Sequence, residues 1–270
     1  MVQGRKPGEE LEAPQGVDRD HAEDLGKDKG RRMRLKAVVC EVLAREFYLC
    51  AAKSRNIVDI ELIDRTLHDE PDALKEELQK RISLASEGGY DAVLLGYGLC
   101  SNGTVGLRAV RVPLVVPRAH DCITLFLGSK ERYMEEFSKH PGTYYYIPGW
   151  MERRGKGLER RTQQVRSQYE EWVEKFGEDN ARYLVEVMGG WIGNYTRAAY
   201  IDTGLVDKEE YVRTAEEVAR ERGWMFEELR GDLSLIGRFL DGEWDEDFLV
   251  VPPSRSVSAS YDGSILKVGD

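Results

Sequence analysis

The sequence predicts an α/β fold of βα units around a parallel sheet, on two observations. From Arg34 onward, short β-rich runs alternate with longer stretches of helical periodicity, the signature of βα units. Two of those runs, Tyr90–Leu95 and Val112–Val116, are apolar almost throughout, as strands covered on both faces are.

The elements follow in order. Leu35–Val42 is the first strand and Ala44–Lys53 continues as a helix. Ile57–Ile63 is the second strand. A helix over Pro71–Glu87 follows, with Glu and Lys on its polar face and Leu74, Leu78, Ile82 and Leu84 inside. The strands Tyr90–Leu95 and Val112–Val116 come next, then a helix from Cys122 to Lys139. Gly142–Trp150 is a strand that stops at the Pro148-Gly149 turn, and helices are expected over Glu159–Phe176 and Glu178–Trp191. Arg197–Ile201 is a strand ending at Asp202-Thr203-Gly204, and Lys208–Arg222 is an acidic amphipathic helix. Met225–Leu229, a short helix over Ser234–Leu240, and Phe248–Val251 before Pro252-Pro253 complete eight strands.

His120–Gly128 echoes Gly231–Phe239: each follows a strand and opens a helix with Asp in its first turn. The expected architecture is two Rossmann-like halves with the site between them, residues 33–140 and 141–253. A 1–32 extension precedes them and a 254–270 tail follows. A closed eight-stranded βα barrel is the alternative, since the strand count fits it.

A formal charge of −10 over 270 residues argues against nucleic-acid and anionic-membrane partners, which want a basic face. No segment approaches the roughly 18 uninterrupted apolar residues of a membrane span. Met1–Arg32 is polar and Gly-rich, without the apolar core of a secretory signal. It reads as a disordered extension or as sequence upstream of a start near Met33. The expected location is cytoplasmic, where the four cysteines are free thiols or ligands.

Cys100 lies in the turn Gly96-Tyr-Gly-Leu-Cys-Ser-Asn-Gly103, whose glycines allow tight turns and close approach of a ligand. His120 and Cys122 alternate along Pro117-Arg-Ala-His-Asp-Cys122, so on extended backbone they point the same way, while Asp121 points opposite or caps the next helix. Both segments leave the same sheet edge, and a Cys2His set is one that zinc accepts. Cys40, at the end of the first strand, is read either as a fourth ligand or as a small core hydrophobe. Cys50 is core; His68 and His140 precede Pro-containing turns and are expected to be exposed.

Arg118, Asp121 and Tyr97 are the candidate catalytic side chains. The Arg118 guanidinium suits a substrate carboxylate or phosphate, or else a salt bridge to Asp121 or Asp202. Gly96, Gly98, Trp150, Asp202 and Thr203 lie at strand ends as candidates for cofactor contact, Trp150 as an aromatic wall or plain core. No Gly-x-Gly-x-x-Gly after the first strand, no P-loop and no Gly-x-Ser-x-Gly elbow is present, which demotes dinucleotide, P-loop and serine-hydrolase chemistry.

On Leu94–Cys100, Pro117–Leu125, Pro141–Tyr144 and Phe248–Pro253, the chain resembles the family catalogued as domain of unknown function 1638, DUF1638, of anaerobic bacteria and methanogens. The resemblance runs from Met33 to Pro253. It implies a setting in anaerobic one-carbon metabolism beside corrinoid-dependent methyltransferases. Methylcobamide:thiol methyltransferases are similar in ligand type, holding zinc with a His-x-Cys pair and a further Cys; here the order is reversed, so only the ligand chemistry carries across.

The expected function is accordingly a metal-dependent enzyme in which Cys100, His120 and Cys122 hold Zn2+, with Cys40 or an open position fourth. It would transfer a methyl group to or from a metal-activated thiol or corrinoid. Substrates are a small molecule or a corrinoid protein, and a homo-oligomer is left open. One alternative keeps the cysteines around an iron–sulfur cluster, for electron transfer or lyase chemistry. Another is a non-enzymatic corrinoid- or metal-binding accessory protein, weakened by the lack of an Asp-x-His-x-x-Gly segment.

Overall fold

The computed structural model describes residues 31–270 apart from 101, 154–168, 170 and 190–192. Strand β1 (Arg34–Cys40) runs through a 3-10 turn into helix α1 (Ala44–Lys53), and β2 (Ile57–Ile63) through a second 3-10 turn, Arg65–Asp69, into α2 (Pro71–Ala85). Then come β3 (Ala92–Gly96), β4 (Leu114–Pro117), α3 (Cys122–Leu127), α4 (Lys130–Lys139), β5 (Thr143–Tyr146) and α5 (Pro148–Glu152). The remainder is α6 (Glu178–Gly189), β6 (Arg197–Asp202), α7 (Glu209–Arg222), β7 (Met225–Arg230), α8 (Ser234–Asp241), β8 (Phe248–Val251), β9 (Ser256–Ala259) and β10 (Leu266–Gly269).

The main sheet has the order β2-β1-β3-β4-β8, with the first four strands parallel and β8 antiparallel to β4. All five residues of β3 and all four of β4 are buried, which is why these runs had to be apolar throughout. β2, at the edge, is mostly half-exposed and carries Asp59 and Glu61. β2 and β3 leave β1 in opposite directions, so the strand order reverses at β1. Open parallel sheets form their binding crevices beyond the carboxyl ends of strands at such a reversal.

A second, three-stranded parallel sheet has the order β5-β6-β7. β6 alternates by the strand period: Ala199 and Ile201 enter the main core, while Ala198 and Tyr200 form a second cluster with Ala215 and Ala219 of α7. At its start Arg197, 1% exposed, is ion-paired with Glu136 of α4 at 2.6 Å and Glu227 of β7 at 2.8 Å. Residues 32–270 form one compact unit, and its core takes residues from both sheets.

Several expectations change. The helix expected over Cys122–Lys139 is two helices, because Gly128 ends α3 at φ +87° and Ser129 accepts a hydrogen bond from the Arg132 N–H to start α4. The Pro148-Gly149 turn opens a short helix rather than ending the strand in a loop. The 254–270 tail carries the antiparallel β9–β10 hairpin, with Val257, Ile265 and Leu266 in the core, so ten strands occur among the described residues. They divide among three sheets, and the largest is open at β2 and β8. Of the helix expected over 159–176, residues 169 and 171–176 are described and helical; the rest, like the extension up to residue 30, lies outside the described residues.

The sequence echo also has a structural side. Asp121 accepts a hydrogen bond from Ile123 N–H at 2.9 Å and Asp232 accepts from Ser234 N–H at 2.8 Å, each at a helix start. The two segments touch, since the Asp232 N–H donates to the Phe126 carbonyl at 2.9 Å.

Candidate active site at the edge of the first sheet

The carboxyl ends of β1, β3 and β4 deliver three cysteines to one edge. Val39 pairs with Gly96, so Cys40 leaves the sheet beside Tyr97. Beyond the strands, the backbone of the β3 loop continues to bond to that of β4: Leu99 N–H donates to the Ala119 carbonyl at 2.7 Å and Cys100 N–H to the His120 carbonyl at 3.0 Å. Gly98 makes this approach feasible, because a Cβ there would fall 2.8 Å from the Ala119 carbonyl oxygen and the Asp121 nitrogen. Gly96 has a packing reason too: its Cβ would meet Phe47 and Val39 at 2.9 Å.

Cys100 itself is left-handed, at φ 46°. A non-glycine residue held there is strained, and such strain collects at functional sites. Asp121 caps α3, which places Cys122 at the first helical position, and the Tyr133 hydroxyl donates to the second Asp121 oxygen at 3.1 Å.

Around the thiols, the neighbouring Tyr97 and Trp150 side chains favour the thiolates of Cys40 and Cys122 respectively, against a larger effect of burial. Gly149 seats Trp150, since any Cβ there would overlap the Val42 carbonyl behind β1. The buried guanidinium of Arg65 lies over the Trp150 ring, 4.8 Å from its centroid, and donates through Nε to the Arg153 carbonyl at 3.0 Å. Glu41 accepts from the Arg65 backbone N–H at 3.2 Å and pairs with Arg153 at 2.6 Å. His68, expected to be exposed, is half-buried with its ring edge-on to Trp150 at 6.0 Å.

Burial dominates the electrostatics. It pushes the Cys40 thiol up to about 11, against hydrogen bonds from the Val42 backbone and Tyr97 that pull it down. The Cys100 thiol goes higher still through burial and then the fields of Cys40 and Asp121, and Cys122 rises through burial, Asp121 and Cys100. Tyr97, 2% exposed, is raised by burial and then by Cys40 and Cys100. Burial also raises Asp121, opposed by the Ile123 N–H and the Tyr133 hydroxyl. Left to themselves, all three cysteines are neutral thiols.

The remaining candidates lie elsewhere. The His120 side chain is exposed, its ring 6.0 Å from that of Tyr133; only its carbonyl faces the Cys100 turn. The Arg118 guanidinium donates to the carbonyls of Ser264, at 3.1 Å, and Leu266, which ties β4 to the β9–β10 hairpin. Asp202 pairs with Lys208 at 3.3 Å, and the Thr203 hydroxyl donates to buried Glu46 of α1 at 3.1 Å. These two line a different crevice, of about 930 Å³, at the carboxyl ends of β6 and β7. Cys50 is buried on α1, 4.0 Å from the Leu233 carbonyl oxygen. All four cysteines are free, and among the described residues no group of three or more His, Cys, Asp or Glu is placed to hold a metal ion.

Arg65 and Glu41 are not among the residues singled out from the sequence, which places His68 at the surface. Their signal was there: Asp64-Arg65 directly follows the second predicted strand and so leaves the same edge as the cysteines.

No curated protein and no solved structure matches the chain. A family model described as "Protein of unknown function (DUF1638)" matches residues 62–240, a stretch that runs from the end of β2 through α8 and includes Arg65, Tyr97, Cys100, Cys122 and Trp150. The chain belongs to that family.

Proposed function

We propose that the protein is a metal-dependent methyltransferase of anaerobic one-carbon metabolism, with Cys40, Cys100 and Cys122 holding a thiophilic ion such as Zn2+. The observation that carries this reading is the delivery of three free thiols from three neighbouring strand ends into one buried edge lined by Tyr97, Trp150 and Arg65. The fit is one of donor chemistry: thiols are what a soft divalent cation selects, while the side chains as they stand are not arranged around one point. His120 would join only by turning its ring inward, so Cys40 replaces it as third donor.

The reading takes the two parallel sheets as Rossmann-like halves, which the order β2-β1-β3-β4 supports for the first. When bound, the ion supplies the positive charge that turns a coordinated thiol into a thiolate near neutral pH. The chain's own groups do the rest. Buried Tyr97 packs beside Cys40, Trp150 stands near Cys122, and burial keeps water from Cys40 and Cys100. Arg65 fixes the plane of Trp150 by stacking on it, leaving an aromatic wall for a flat methyl donor such as a corrinoid.

Metal analysis of protein purified without oxygen tests this. Near-stoichiometric zinc in the wild type and its loss in Cys40→Ser, Cys100→Ser and Cys122→Ser is the expected result. Equal metal in all four overturns the ligand set, and a visible charge-transfer band with bound iron would replace zinc by an iron–sulfur centre.

A further inference from the structure

We propose that the crevice at the carboxyl ends of β6 and β7 is a second binding site, and that it takes a phosphate monoester of a hydroxylated compound, a sugar phosphate or nucleotide. The crevice lies beyond the carboxyl ends of the parallel strands β6 and β7. Its volume of about 930 Å³ is in the range of small-molecule sites.

The lining is polar and of both signs. Arg132, Lys208 and Arg230 face Asp202, Glu228 and Asp232. Lys208 is clamped between two carboxylates, 2.6 Å from Glu228 and 3.3 Å from Asp202. That triad presents carboxylate oxygens, spaced and fixed, as acceptors for neighbouring hydroxyls. It also removes Lys208 as a free cation.

Arg230 is the contrast. It ends β7, its side chain is exposed in the crevice wall, and no ion pair holds it among the described residues. Its own carbonyl is bonded by the Arg132 guanidinium at 2.5 Å, which brings the second cation alongside while fixing it to the carbonyls of Leu127 and Arg230. One uncommitted guanidinium with another braced beside it suits a dianionic phosphate, which a guanidinium binds through two parallel bonds. Beside Arg230, the fixed carboxylates of Asp202, its register partner on β6, and of Glu228, two residues earlier on β7, suit the hydroxyls. Gly231 closes the floor, its Cα packed so near Thr203 that a Cβ would lie 2.8 Å from the Thr203 methyl.

Calorimetric titration of the full chain with ribose 5-phosphate, AMP, adenosine and inorganic phosphate tests the assignment. Ribose 5-phosphate or AMP should bind with a Kd below about 1 mM, and the stronger of the two tells sugar phosphate from nucleotide. Arg230→Gln, an exposed change that leaves the fold intact, should weaken that binding by about tenfold or more. Glu228→Gln should weaken ribose 5-phosphate but leave inorganic phosphate unchanged. Binding of neither phosphate ester, equal affinity in Arg230→Gln, or inorganic phosphate binding as tightly as the esters would each overturn the proposal.

Discussion

A methyl group added at Gly98 would sit against two backbone atoms that cannot step aside, the Ala119 carbonyl oxygen and the Asp121 nitrogen. Gly98→Ala should therefore cost about 1–3 kcal/mol in urea unfolding and loosen the bonds that dock Cys100 on His120. Gly237 of α8 has open space around its Cβ position, so Gly237→Ala should instead gain about 0.5–1 kcal/mol. Opposite signs at the two glycines are the outcome to look for. The thiols set a pH dependence of their own. Cys40 holds its proton up to about 11 in the folded chain against an ordinary 9.0, so the folded state binds the proton more tightly than the unfolded one. Its contribution to stability is complete below pH 9 and is lost as the pH rises towards 11. The urea midpoint should fall across that window, and less steeply in Cys40→Ala. A flat profile in the metal-free protein would contradict the burial of the cluster.

Buried charges tie the elements together. Arg197→Met leaves Glu136 without its partner beneath β6 and should cost about 3 kcal/mol, read by the same unfolding assay. Glu46, raised above its ordinary 4.5 by burial, joins α1 to the end of β6 through Thr203. A raised carboxyl favours the folded state below pH 4.5 and loses that contribution as the pH climbs through its folded value. Glu46→Gln should thus raise the melting temperature at neutral pH and give no gain in acid. At this scale the sequence is well legible where periodicity and breakers agree: α1, β2 and β8 have the bounds their patterns predict, Ala44–Lys53, Ile57–Ile63 and Phe248–Val251. It misleads where a single backbone dihedral decides, as at Gly128, whose left-handed φ splits one apolar stripe into two helices. The strand-end edge was readable from strand order of apolar runs, because parallel strands share a carboxyl end. Side-chain direction was not: a period of two puts His120 and Cys122 on one side only while the backbone stays extended, and the cap at Asp121 ends that after one residue. The placing of Arg65, and of His68 as half-buried and not exposed, was not legible because their neighbour Trp150 arrives from a distant part of the chain.

Across the whole molecule, the last residues act as a clasp. The Arg118 guanidinium reaches the Ser264 and Leu266 carbonyls, Arg108 the Ser254 and Asp270 carbonyls, and Arg255 the Gly269 carbonyl. Short apolar runs in a polar tail gave little sign of this, since a four-residue strand carries too few alternations to show a period. Arg118→Ala should speed proteolysis within 254–270 and lower the melting temperature; an unchanged digestion pattern would show that these bonds do not hold the tail.

β8 imposes an order of events on a ribosome. β4 lies between β3 and β8 in the main sheet, so Val115 waits for Val250 before its second ladder closes. Such long-range pairing is slow to form. During synthesis, the cysteine-bearing turns that leave β3 and β4 are therefore made early and sealed late. A nascent chain carries the Cys100 and Cys122 thiols open to its surroundings until β8, which begins only at Phe248, has emerged to pair with β4.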